Sequence, residues 1–129
     1  TVMNSTSLND FGDAIRSYAN TGEEDDRDLS RVGMSLDMFR AYTEGYLSQR
    51  AKQLTEPEID NLAFSARYIT YEQVLRFLMD YIDGDTYYKI KYPEHNLVRT
   101  HAQYELLRSM EKQYGTMCDI VRETVAKYR

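Results

Sequence analysis

The chain has 129 residues, of which 42% are hydrophobic and 29% charged, with two prolines and six glycines; this is the composition of one folded domain with a modest core, not of a disordered segment. A net charge of -5 speaks against nucleic acid as a partner, because a phosphate backbone is bound by a basic face that releases its counterions. The single cysteine, Cys118, excludes an intrachain disulfide and a cysteine zinc site and suits a reducing, cytoplasmic setting, and no apolar run approaches the roughly 20 residues of a membrane span.

Residues 1–9 lack periodicity and are expected as coil. Asn4-Ser5-Thr6 matches a glycosylation acceptor triplet, a pattern too common by chance to carry weight. The polar opening has neither an initiator methionine nor a signal peptide pattern, and the expectation is an excised piece of a longer chain. Asn9 or Asp10 can cap a short helix over 10–18, with Phe11, Ala14, Ile15 and Tyr18 at helical spacing. Asp10-Phe11-Gly12 matches the magnesium-binding tripeptide of protein kinases, but the strand and catalytic loop that give the tripeptide meaning have no room ahead of it. Residues 21–33 carry Glu23, Glu24, Asp25, Asp26 and Asp28 without the alternation and fixed glycine of a calcium loop, and the expectation is a solvated acidic loop.

Ser35 caps a predicted helix over 36–52 with an apolar stripe of Leu36, Phe39, Tyr42, Thr43, Tyr46 and Leu47. Gly45 inside it suggests close approach by another element. Thr55-Glu56-Pro57-Glu58 is a capping box that announces a long helix over 56–82, with a bend or break expected at Ile69-Thr70-Tyr71. Asn96 can cap a final helical stretch over 96–128, one helix or two collinear ones, with Gly115 as the expected stop. Only the short run Tyr87 to Tyr92 alternates with a period of two, so the fold class is all-α.

Chemistry is sparse. His95 and His101 are six apart and cannot share a helical face as ligands at i and i+4, so they are expected as a polar loop residue and a helix-face residue. No nucleophile elbow or glycine-rich phosphate loop is present. A sulfatase nucleophile, Cys or Ser two residues before proline, is also absent, since Thr55 and Lys91 hold the positions two before Pro57 and Pro93. The remaining constellation is Arg76 with Tyr87 and Tyr88 in the tyrosine-rich loop that follows Asp83-Gly84-Asp85 as far as Pro93. A guanidinium and aromatic rings suit a sugar, which offers hydroxyl edges and a C–H face. The plainer alternatives are tyrosines that cover the core and an Arg76–Asp80 surface pair at i+4.

Longer stretches are more specific. Leu8-Asn-Asp-Phe-Gly-Asp-Ala-Ile-Arg16, Ala19-Asn-Thr21 leading to Glu24-Asp25 and Asp28-Leu-Ser30, Arg76-Phe-Leu78, Asp80-Tyr81, Gly84-Asp85-Thr-Tyr-Tyr88 and Tyr92-Pro93 with His95-Asn-Leu97 resemble, in order, the carboxy-terminal part of the aminoglycoside-phosphotransferase-like sugar kinases, in particular the N-acetylhexosamine 1-kinases. The resemblance implies a helical subdomain of the larger kinase lobe, spanning 1–129, whose parent transfers the γ-phosphate of ATP to an amino sugar with Mg2+. The catalytic base and metal-binding aspartate would lie upstream of Thr1, so no catalytic residue, metal ligand or bound cofactor is expected in this piece. Arg76, Tyr87 and Tyr88 match sugar-pocket positions, Tyr88 standing where some members have tryptophan, and Asp10 matches an aspartate that starts a lobe helix and braces the catalytic loop. Relatives labelled as mucin-desulfating sulfatases lack support in the proline positions above. The implied partners are the amino sugar and the remainder of the kinase, and apolar surface exposed by the missing small lobe predicts self-association. A helical protein-interaction domain and a kinase relative without catalysis are the alternatives.

Overall fold

The computed structural model describes the backbone from Val2 to Arg129 and the side chains from Leu8 onward. Thr1 and the side chains of the Asn4-Ser5-Thr6 triplet lie outside the described residues. Six α-helices are present among them: α1 (Val2–Tyr18), α2 (Leu36–Arg50), α3 (Glu56–Asp60), α4 (Leu62–Ile82), α5 (His95–Lys112) and α6 (Tyr114–Tyr128). No described residue belongs to a strand beyond an isolated antiparallel bridge between Asn20 and Met34. The domain is all-α.

α4 is the element on which α1 and α5 both pack, and α2 pairs with α6. Phe11 and Ile15 of α1, Phe39 and Leu47 of α2, Leu62 and Ala66 of α4, Leu106 and Met110 of α5, and Met117 and Ile120 of α6 form one buried cluster. Phe11 stands at its aromatic centre, edge-on to Phe39 at 6.3 Å and tilted against Tyr46 at 5.0 Å, a geometry that adds to the area the ring buries. The phenylalanine of Asp10-Phe11-Gly12 is thus a core anchor. Gly12 beside it lies against α4, where an added Cβ would meet the Ser65 carbonyl oxygen at 2.6 Å.

Local signals placed several ends correctly. The Ser35 hydroxyl accepts the Met38 N–H at 3.2 Å. The capping box at Thr55 is complete, with the Thr55 N–H donated to Glu58 Oε1 at 2.7 Å and the Glu58 N–H to Thr55 Oγ1 at 3.4 Å.

Other expectations are corrected. Helix α1 begins at Val2, so residues 2–9 are helical and Asp10 is an exposed mid-helix residue, not a cap. The predicted helix over 56–82 breaks at Asn61, whose side chain donates to the Pro57 carbonyl at 2.8 Å and so competes with the backbone ladder. It continues through Ile69-Thr70-Tyr71, because the Thr70 hydroxyl returns its hydrogen bond to Ala66 O at 2.8 Å within the helix. The stretch 96–128 is two helices that part at Gln113, whose amide donates to the Met34 carbonyl at 2.9 Å. Gly115 sits inside α6. Gly45, where close approach was expected, has nothing among the described residues within 4 Å of an added Cβ.

The acidic segment is folded against the domain. Thr21 N–H donates to Gly33 O at 2.9 Å and Ser35 N–H to Ala19 O at 2.8 Å, closing its base. Inside it Asp26 is 8% exposed and accepts the Glu23 and Asp28 N–H groups at 3.2 and 3.0 Å. His95 is buried, not a loop residue: its Nε2 lies 2.8 Å from Asp25 Oδ2 while Nδ1 accepts the Lys91 N–H at 3.1 Å. That acceptor role leaves the ring proton on Nε2, directed at Asp25. Tyr92 stacks on the imidazole at 4.6 Å and Arg27 covers Tyr92 at 4.4 Å.

Candidate functional site

The site forms where α4 ends. Asp83 closes the helix, Gly84 takes φ +94° and Asp85 φ +62°, and these left-handed residues turn the chain back over the last turn of α4. Gly84 meets the turn's demand without strain. The reversal places the carboxylate of Asp80 beneath the loop that follows. Asp80 Oδ1 accepts the Tyr87 N–H at 2.8 Å, and Oδ2 accepts the Tyr88 N–H at 3.1 Å and the Asn96 amide at 2.7 Å. Asn96 also donates to Asp85 Oδ1 at 3.0 Å and accepts from Arg99 at 2.8 Å, and Arg99 reaches the Lys89 carbonyl at 3.0 Å. One carboxylate and one amide thus hold both ends of the loop.

Electrostatics follow from these partners. Burial pushes the Asp80 carboxyl up, but the Tyr88 and Tyr87 N–H groups and the Asn96 amide outweigh it and hold the group below the usual carboxylate range. Asp80 is therefore ionised at neutral pH with its oxygens occupied by donors. It is a clamp for the loop and not a partner of Arg76, which corrects the pairing at i+4. Asn96, expected as a helix cap, lies in the first turn of α5 and spends its side chain on that clamp.

Arg76, Met79, Asp83, Thr86, Tyr87 and Tyr88 surround an open cleft of about 350 Å³ above Asp80. All three residues singled out for sugar binding, Arg76, Tyr87 and Tyr88, line it. Arg76 has a side chain 59% exposed and its Nε lies 3.7 Å from Glu72, a weak surface pair that leaves most of the guanidinium open to solvent. Tyr87 is 78% exposed. Tyr88 is half-buried, with its ring against Phe77 at 4.8 Å and its hydroxyl accepting from Gln73 at 3.1 Å. Tyr87 stands edge-on to Tyr88 at 4.9 Å and 86°. The two tyrosines divide the work: Tyr88 packs onto the protein and Tyr87 presents a ring to the cleft.

Residue types alone did not reveal Asp80 and Asn96, which fix the loop, or Met79, Asp83 and Thr86, which complete the wall. The available signal was an acidic residue in the last turn of a helix just ahead of Gly84-Asp85, where the returning backbone needs acceptors. Asp10, matched to a brace for a catalytic loop, lies on α1 and is not part of this cleft. Among the described residues no group of three or more His, Cys, Asp or Glu side chains could hold a metal ion.

The fold and site together define an all-α domain with one aromatic, polar-edged cleft at a helix end. No protein-family model matches the chain.

Proposed function

We propose that this chain is the sugar-binding helical part of a kinase-like phosphotransferase whose acceptor is an N-acetylhexosamine or a related amino sugar. The observation that carries the reading is the convergence of Arg76, Tyr87 and Tyr88 on one open cleft, three positions that the resemblance to the N-acetylhexosamine 1-kinases assigns to the sugar. A pyranose fits the chemistry of this wall. Its C–H face suits the exposed Tyr87 ring, and its hydroxyls suit Arg76 as donor, Asp83 as acceptor and Thr86 as either. Tyr88 keeps Tyr87 in place instead of stacking on the ligand with both faces.

The parent kinase would supply the catalytic base, ATP site and Mg2+ ligands from residues preceding Thr1. Phosphoryl transfer depends mostly on positioning and charge stabilisation, so a lobe that orients the acceptor contributes to rate without containing a reacting group.

The test has two arms. N-acetylglucosamine, N-acetylgalactosamine and glucose are titrated into the chain while backbone amide signals of residues 76–88 are followed, and the same panel is offered to the full-length parent with ATP and Mg2+ while ADP release is measured. An N-acetylated sugar is expected to shift the loop amides and to stimulate ADP release. Arg76→Ala is expected to weaken apparent sugar affinity roughly tenfold or more, the loss of a charged hydrogen bond, with folding stability changed by only about 0.3–0.5 kcal/mol, the worth of an exposed i,i+4 pair. Loop amides indifferent to every sugar, with no stimulated ADP release, would end the reading.

A further inference from the structure

Helix α4 is apolar on two faces. Leu62, Ala63, Ala66, Thr70, Val74 and Phe77 are buried in the domain. On the other face Phe64, Tyr68, Tyr71, Leu75, Met79 and Ile82 are 40, 48, 50, 39, 61 and 71% exposed. A helix buried on one side needs no second apolar stripe, and an exposed stripe of this extent marks an interaction surface. Phe64 and Tyr68 form a ridge between two clefts, one of about 290 Å³ reaching Leu107 and one of about 210 Å³ reaching Leu8. The ridge and its clefts have the relief that knobs and holes require.

We infer that this face of α4 pairs with the same face of a second copy of the chain, antiparallel about a two-fold axis near residue 73. With half-buried Leu78, the positions Phe64, Tyr68, Tyr71, Leu75, Leu78 and Ile82 alternate by four and three, the spacing of a coiled-coil seam. One antiparallel register sets Phe64 against Ile82, Tyr68 against Leu78 and Tyr71 against Leu75 of the other copy. The stripe is aromatic in its first half and aliphatic in its second, so this register puts every ring against an aliphatic side chain. A parallel pairing sets ring on ring and leaves the narrower residues facing one another.

Charge agrees with a second copy. Glu72 and Arg76 lie on the flank of the stripe, at 41% and 59% side-chain exposure, and the two-fold brings each flank beside itself, so that Arg76 of either copy comes within reach of the other's Glu72. A symmetric interface uses one self-complementary patch in this way. The exposed parts of the six side chains amount to roughly 500–600 Å² per copy, below the roughly 800 Å² per partner of a standard stable interface, so the expected dimer is weak and concentration-dependent. Arg76 and Met79 belong both to this face and to the sugar cleft, so the pairing is read at Tyr71 and Leu75, which lie outside the cleft, and sugar binding at the loop amides.

Sedimentation equilibrium of the wild-type chain across the micromolar to millimolar range tests it without any variant. A monomer–dimer equilibrium is expected; a monomer throughout overturns the pairing and hands the stripe to an unlike partner, such as a preceding part of a longer chain. Tyr71→Glu and Leu75→Glu, both at exposed positions, should each weaken the dimer at least about tenfold with helical circular dichroism unchanged. A dimer that survives both charges overturns the assignment to α4. In a Cys118→Ser background, Phe64→Cys combined with Ile82→Cys should cross-link between copies while Phe64→Cys alone should not; self-linking of Phe64→Cys overturns the antiparallel register.

Discussion

Gly12→Ala is expected to destabilise the protein although alanine is the better helix former. Gly12 lies in α1, where an added methyl would stand 2.6 Å from the Ser65 carbonyl oxygen, 2.7 Å from its carbon and 3.0 Å from its hydroxyl. The obstacle is the backbone of α4, which cannot turn aside as a flexible side chain can. Bringing the shortest contact to 3.4 Å, the near edge of ordinary van der Waals contact, means parting α1 from α4 by roughly 0.8 Å. Phe11 and Ile15, both fully buried on the same helix, would be drawn out with it. Overpacking of this kind costs about 1–3 kcal/mol, against a helix-propensity gain of about 1 kcal/mol, so the net expectation is a loss of about 1 kcal/mol or somewhat more. Gly45→Ala in α2 is the matched control, because nothing among the described residues lies within 4 Å of its added Cβ; it should gain about 0.5–1 kcal/mol. Urea unfolding followed by circular dichroism gives both midpoints. A Gly12→Ala midpoint at or above wild type, with unchanged slope, would show that α1 does not rest on Ser65.

Three further outcomes are expected. His95→Ala should cost about 2–3 kcal/mol by opening a cavity and orphaning the Lys91 N–H, and hydrogen exchange should quicken across residues 21–33 because the Asp25 tether is lost; unchanged exchange there would deny His95 its bracing role. Asp25 is held below its ordinary range chiefly by the His95 hydrogen bond, and Asp80 by donors that outweigh its burial. A depressed carboxyl contributes stability that is complete above its unfolded value of about 3.9 and is lost as pH falls through the lower folded value, so the Tyr87 and Tyr88 amides, which donate to Asp80, should stay protected at neutral pH and open only below about pH 4; opening between pH 6 and 7 would contradict the carboxylate clamp. The Thr43 hydroxyl is fully buried without a hydrogen-bond partner among the described residues, so Thr43→Val, which keeps the branched shape, should stabilise by about 1 kcal/mol in the same urea assay, whereas destabilisation would reveal a partner.

The residues that the sequence brought forward for the cleft, Arg76, Tyr87 and Tyr88, do meet in it, but their identity said little about their separate roles. Both tyrosines look alike in the chain. Only the fold decides that Tyr88 turns toward Phe77 and Gln73 while Tyr87 faces outward. Arg76–Asp80 was a sound expectation from spacing, and it failed because Asp80 finds backbone donors seven and eight residues later. Those donors exist only after Gly84 and Asp85 have reversed the chain. The same holds for His95, whose partner Asp25 is 70 residues away.

What the sequence alone determined are the features whose physics is complete within one or two turns: helical period, the Ser35 cap, the Thr55 capping box and therefore the all-α class. Each satisfies backbone groups with atoms three or four residues off, and that distance is written in the order of residues. The tertiary structure decided where long helical patterns break, which glycine is indispensable and which polar side chain is buried. Gln113 parts α5 from α6 because its amide reaches Met34, 79 residues earlier, while Gly115, the stronger stop signal, has no neighbour that asks it to end a helix. Gly12 and Gly45 are equivalent as letters in helical segments, and the approach of α4 to one of them makes the difference. Contacts between distant segments set these choices, and such contacts come into being only when the helices have packed.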